Sequence, residues 1–149
     1  MNTKRCLALL PILLCCCFLA AQNTLNMFID YNRFLSSDKK TIFLVDYQIP
    51  YRNLLFLAGQ GGFFAEVDVQ LELYNADSLA FSQQVTDNIG IRNKADATSA
   101  TKKYMNRLSY IMDDPQYTMK LSATDINSGK QFTWSYIINE LETDAIISD

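Results

Sequence analysis

The 149-residue chain is 49% hydrophobic and 19% charged, carries 13 basic and 16 acidic side chains, and contains no histidine. That balance excludes a disordered polymer, a collagen-like or coiled-coil rod and a strongly basic nucleic-acid binder. The missing imidazole removes Ser-His-Asp and Cys-His hydrolysis along with histidine-ligated zinc and haem.

The chain opens with Lys4 and Arg5 and runs into the uncharged apolar segment 7–21, which ends in Ala20-Ala21 before polar Gln22-Asn23-Thr24. A basic start, a short apolar stretch and a small-residue end make the pattern of a secretory signal peptide, with cleavage expected after Ala21. The segment is shorter than the roughly 20 residues that span a bilayer. Two alternatives use the same residues, an acylated cysteine of a bacterial lipoprotein or an uncleaved anchor, and in either this segment is the membrane contact. All four cysteines, Cys6, Cys15, Cys16 and Cys17, fall in the first seventeen residues. Removal of residues 1–21 takes Lys4 and Arg5 and no acid, so the formal charge moves from −3 to −5. What remains faces an oxidising compartment without disulfides, held by its core alone. An acidic chain argues against nucleic acid and anionic membrane surfaces as partners. The expected organisation is signal peptide 1–21, domain 22–141 and acidic tail 142–149, in a bacterial protein exported to the periplasm or cell surface.

Beyond the leader, apolar residues recur with a period of two, which puts one face of each strand in a core. Segment 41–49 contains Ile42, Phe43, Val45 and Tyr47 and stops at Pro50, which cannot donate to a ladder. Residues 54–58 read as a short, continuously apolar strand, and Gly59-Gln60-Gly61-Gly62 as a hairpin loop needing positive φ. In 63–75, Ala65, Val67, Val69, Leu71 and Leu73 alternate with Phe64, Glu66, Asp68, Gln70, Glu72 and Tyr74. The return arm 79–86 follows Asn75-Ala76-Asp77-Ser78 with Leu79, Phe81, Gln83 and Val85 on one face. Residues 95–112 suit a helix through Tyr104, Leu108 and Ile111 or a strand through Tyr104, Leu108, Tyr110 and Met112; flanking strands favour loop to about residue 102 and then strand. Segment 116–124 sets Tyr117, Met119, Leu121 and Ala123 on one face, 125–130 is a hairpin loop, and Phe132, Trp134, Tyr136 and Ile138 line one face of the last strand. Seven or eight strands with short turns and no parallel crossover predict an all-β, immunoglobulin-like antiparallel sandwich.

Several segments carry chemistry that a plainer reading also explains. Glu66, Asp68 and Glu72 share a strand face with i, i+2 neighbours about 7 Å apart, a spacing open to a glycosidase acid and base, yet any solvent-facing strand looks the same. Ser36 and Lys39 have the Ser-x-x-Lys spacing but lie in a polar turn, without the two further motifs that such enzymes need. The glycine loop 59–62 is followed by a strand, so no helix N-terminus faces a phosphate. Asp125, Asn127 and Gly129 miss the calcium-loop register, since Tyr136 stands where glutamate is required. Trp134 and Tyr136 could stack on a sugar ring, although aromatics at alternate strand positions usually belong to a core. No catalytic residue, cofactor or metal ligand is assigned.

The run 113–125, closed by Asn127-Ser128-Gly129-Lys130, resembles the penultimate strand of immunoglobulin-like and fibronectin-type sandwiches, with Tyr117 in the place of the corner tyrosine. More narrowly, Phe28 to Arg33, the 42–50 strand, Leu54-Leu55-Phe56, Phe64-Ala65-Glu66-Val67 and that closing hairpin resemble the N-terminal region of bacterial GWxTD-domain proteins, over roughly residues 28–138. The Gly-Trp-x-Thr-Asp motif itself is absent, because Trp134 sits between Thr133 and Ser135. The resemblance implies an exported bacterial sandwich, either a short relative or a fragment of a longer protein, and no catalytic residue. The function expected is a non-enzymatic interaction or structural module whose partner is another envelope protein or a further domain. The alternative is a carbohydrate-binding module using Trp134 and Tyr136 with Glu66, Asp68 and Glu72.

Overall fold

A computed structural model describes residues 24–35, 40–112 and 116–139. Eight strands follow one another: β1 (Phe28–Leu35), β2 (Thr41–Pro50), β3 (Leu57–Gly59), β4 (Gly62–Asn75), β5 (Ser78–Ile91), β6 (Lys103–Met112), β7 (Tyr117–Asp125) and β8 (Gln131–Ile138). A 3-10 turn (Tyr51–Asn53) and a helical turn α1 (Lys94–Ala97) complete the elements among the described residues. The strands form two antiparallel sheets, β1-β2-β6 and β5-β4-β7-β8, with β3 pairing the first residues of β4. The all-β sandwich expected from the alternation is therefore the fold.

Between the sheets lie Phe43, Val45, Tyr47 and Ile49 of β2, Ala65, Val67, Val69, Leu71 and Leu73 of β4, and Met119, Leu121 and Ala123 of β7, all nearly or wholly inaccessible. Phe43 stacks on Tyr110, and Tyr110 on Phe81, at centroid distances of 5.1 and 5.4 Å, so one ring column joins β2, β6 and β5. Upstream of β1, Leu25 and Met27 plug one end of the core, and the Leu25 amide donates to Gln131 O at 2.9 Å.

Two predicted elements change shape. The strand expected over 54–58 is reduced to pairing at Leu57–Gly59, with Leu54 buried in the core. The cause is that the Leu55 amide donates to Asp125 Oδ2 at 2.9 Å rather than to a neighbouring strand. The return arm runs on to Ile91 and matches β4 along its length. Its register shifts at Leu73/Tyr74, where Tyr74 pairs with Leu79; that shift turns Leu79 outward, 54% exposed, instead of onto the inner face with Phe81. Residues 95–112 resolve as α1, a loop, and strand from Lys103.

The glycine loop makes the β3–β4 turn, with Gly61 at φ +83°. At Gly62 the backbones of β4 and β5 approach so closely that an added Cβ meets Ile91 O at 2.4 Å. Gly62→Ala is expected to destabilise by about 1–3 kcal/mol, as overpacking does, seen as a lower urea midpoint at unchanged slope.

Candidate functional site

Antiparallel register aligns the outward side chains of β1, β2 and β6 in four cross-strand rows: Phe28, Gln48 and Met105; Asp30, Asp46 and Arg107; Asn32, Leu44 and Ser109; Phe34, Ile42 and Ile111. Apolar residues thus occupy both ends of a face that solvent reaches. Phe28, Met105, Phe34 and Ile111 are each 52–64% exposed. Large apolar groups clustered on one face mark an interaction surface more than scattered ones do.

The second row supplies charge. Arg107 grips Asp46 with two bonds, Nε to Oδ1 at 2.6 Å and Nη2 to Oδ2 at 2.8 Å. The guanidinium's hydrogen bonds hold the Asp46 carboxyl below its usual range, and the carboxylate in turn raises Arg107. Asp30 lies beside them in register, and no described residue forms an ion pair with it. Around these residues is a shallow depression of about 470 Å³, lined by Asp30, Asp46, Gln48, Met105 and Arg107 among others. Two carboxylates against one guanidinium, bordered by Met105, suit a cation carried on an apolar surface.

A second polar cluster is enclosed. Asp87, 5% exposed, accepts from the Tyr47 hydroxyl and from Asn106 Nδ2 at 2.9 Å, so β5 is tied to β2 and β6 across the core. Burial, then the bond to Asp87, pushes the Tyr47 hydroxyl far above its ordinary value. Tyr104, reached by the same carboxylate and also raised first by burial, goes up to about 12. Such a cluster binds the two sheets together, with its partners satisfied internally. Its sequence signal is a lone carboxylate at an inward position of β5, two residues before Ile89.

Residues proposed from sequence divide between two faces. Trp134 and Tyr136 pair in register with Leu121 and Met119, so they stand on the inner side of the larger sheet. Trp134 is partly buried against the core and stacks on Tyr136 at 5.6 Å, while Tyr136 meets Tyr31 of the opposite sheet at 5.1 Å. Glu66, Asp68 and Glu72 stand on the outer side, alternating with the buried residues of β4. Asp68 accepts from Thr86 Oγ1 at 2.6 Å and Gln84 Nε2 at 3.4 Å; Glu72 accepts from Gln70 Nε2 and approaches Lys120 at 3.8 Å. Glu66 borders another depression with Phe64 and Asn127. The sheet therefore separates the aromatic pair from the three carboxylates and does not assemble one sugar site from them.

Asp125 is fully buried and closes its own turn, accepting from Asn127 N and Ser128 Oγ as well as Leu55 N. Among the described residues no group of three cysteine, aspartate or glutamate side chains could hold a metal, and no helix is long and apolar enough to cross a membrane. The leader expected over 1–21, the Ser36/Lys39 pair, residues 113–115 of the run 113–125 and the tail 142–149 lie outside the described residues.

Fold and surface together define an all-β sandwich with an apolar, partly charged outer face on its smaller sheet. No family model matches the chain, and neither does any curated protein. Among solved structures, the crystal structure of a Bordetella pertussis protein assigned as ApaA is similar at a TM-score of 0.42 and 8% identity, covering 81% of this chain and 98% of that one.

Proposed function

We propose that the protein is an exported, non-enzymatic interaction module of the bacterial envelope that docks another protein on the outer face of β1, β2 and β6. Export rests on the leader pattern of Lys4, Arg5 and the apolar segment 7–21. The likeness to the sandwich region of GWxTD-domain proteins belongs to the same proposal. The observation that carries the docking surface is the exposure of Phe28, Phe34, Met105 and Ile111 on one face around the Asp30/Asp46/Arg107 row. The partner this chemistry fits presents a lysine or arginine flanked by apolar side chains, which the carboxylates neutralise while the apolar ends are covered. The carbohydrate-binding reading needs the aromatics and acids on one surface, and the larger sheet keeps them apart.

The test places a photo-crosslinking amino acid at Met105, and at Ser122 on the outer face of the larger sheet, in cells that make the protein. A single adduct from Met105, absent from Ser122, mapping to a basic residue between apolar ones, is the expected result. Asp30→Lys then weakens the interaction at least about tenfold, as like charge at a docking face does. Equal labelling from both positions, or an Asp30→Lys variant that binds as well as the parent, sinks the proposal.

A further inference from the structure

A separate surface, the free edge of β8, carries an inference of its own. Among the described strands, β8 pairs with β7 alone. In an antiparallel pair successive residues aim their backbone groups alternately at the two sides, and the structure shows which parity faces outward. Lys130 O accepts from Asp125 N across the hairpin, whereas Gln131 O accepts from Leu25 N on the opposite side. Asn139 O, of the same parity, accepts from Arg33 Nη1 of β1. Thr133, Ser135 and Ile137 therefore direct N–H and C=O groups to the open edge, and no hydrogen bond from a described residue reaches them there.

Edge strands are normally blunted by charge, proline or a bulge. β1 carries Asp30 and Arg33, and β6 carries Lys103 and Arg107. β5 has weak strand formers such as Asn88 and Gly90 near its end. β8, Gln-Phe-Thr-Trp-Ser-Tyr-Ile-Ile, has no charge, no proline, no glycine and no register shift. Six of its eight residues are aromatic or β-branched, the types strands favour.

We infer that β8 pairs antiparallel with β8 of a second copy, about a two-fold axis at Ser135. Parity and the occupied ends select this register. Gln131 is taken by the Leu25 amide, which leaves Thr133, Ser135 and Ile137 as the open set, and centring on Ser135 is the alignment that uses all three. Thr133 then faces the partner's Ile137 and Ser135 faces its own copy, each pair exchanging two hydrogen bonds. On the inner side Trp134 meets the partner's Tyr136, and Phe132 meets the partner's Ile138. Every pair in this alignment is aromatic, aliphatic or hydroxyl, with no like charges opposed, and the same patch serves both subunits, as a two-fold interface demands. The docking face on β1, β2 and β6 points away from this contact, so either can fail alone.

Sedimentation of protein purified after expression of the full chain tests the inference. The parent is expected to be a dimer at micromolar concentration, and both Ser135→Pro and Ile137→Pro, which delete edge N–H groups without touching the β7 ladder, are expected to be monomers with unchanged far-UV circular dichroism. A monomeric parent, or folded proline variants that remain dimers, overturns it. Should the proline variants not fold, Ser135→Cys is read instead, with Cys6, Cys15, Cys16 and Cys17 changed to serine. A short bifunctional thiol reagent is expected to join two copies through position 135, and failure to link them overturns the inference.

Discussion

Replacing Asp125 with alanine is expected to cost about 3–4 kcal/mol, one of the largest losses available from a single polar side chain in this molecule. The carboxylate is fully buried and receives Leu55 N–H at 2.9 Å, Asn127 N–H at 3.2 Å and the Ser128 hydroxyl. Alanine strands those donors, and a buried donor left unmade costs about 1–3 kcal/mol. The loss propagates beyond the turn, because Asn127 in turn donates to Leu55 O and Phe64 O and so fastens the β2–β3 connection to β4. Asp125→Asn keeps one accepting oxygen and is expected to lose about half as much. Urea unfolding followed through Trp134 fluorescence gives both numbers, and a loss below about 1 kcal/mol for the alanine variant contradicts the account.

Alkali is expected to destabilise the protein steeply above pH 10 and to unfold it within a few pH units. Burial holds the Tyr47 and Tyr110 hydroxyls protonated far above the ordinary tyrosine value of 10.0, with the Asp87 bond adding to the effect at Tyr47. In the unfolded chain both ionise normally. Their raised folded-state values mean that stability is intact below pH 10 and declines above it, by about 1.4 kcal/mol per pH unit for each buried group. Tyr104, partly exposed and pushed to about 12, adds a smaller share up to that pH. Two buried tyrosines remove about 3 kcal/mol per unit, enough to exhaust an ordinary stability of about 5–15 kcal/mol within a few units. Tyrosinate absorbance and circular dichroism should change together in one step, shallower in Tyr47→Phe. Smooth ionisation of all tyrosines near pH 10 with the spectrum intact excludes this mechanism.

Strand identity was legible where the alternation is long and regular, and less so in 95–112, where Tyr104 and Leu108 suit a helix as well as the strand β6 that forms. Residues 63–75 alternate as printed in the sequence, and the structure buries Ala65, Val67, Val69, Leu71 and Leu73 as that alternation requires. What local pattern could not carry was any contact made by a distant side chain. The Leu55 amide is claimed by Asp125, 70 residues away, which shortens β3, and a shift between β4 and β5 turns Leu79 outward. The outer face of the smaller sheet was hidden for a related reason. Phe34, Ile42 and Ile111 are separated in sequence, each reads alone as an ordinary strand residue, and only the β1-β2-β6 register makes them one row. Trp134 and Glu66 each read correctly as alternating strand residues, but which side of the sheet each occupies depends on the β4-β7-β8 pairing.

The anchoring of Leu25 constrains the proposed export. Thr24 bridges to Gln131, and Leu25 is wholly enclosed with its amide bonded to β8. Were the leader cut after Ala21, as that proposal holds, the scissile bond would be only three sequence positions ahead of this clamp. Cutting would then have to precede the seating of Leu25, and a chain that shut its end first would retain its leader.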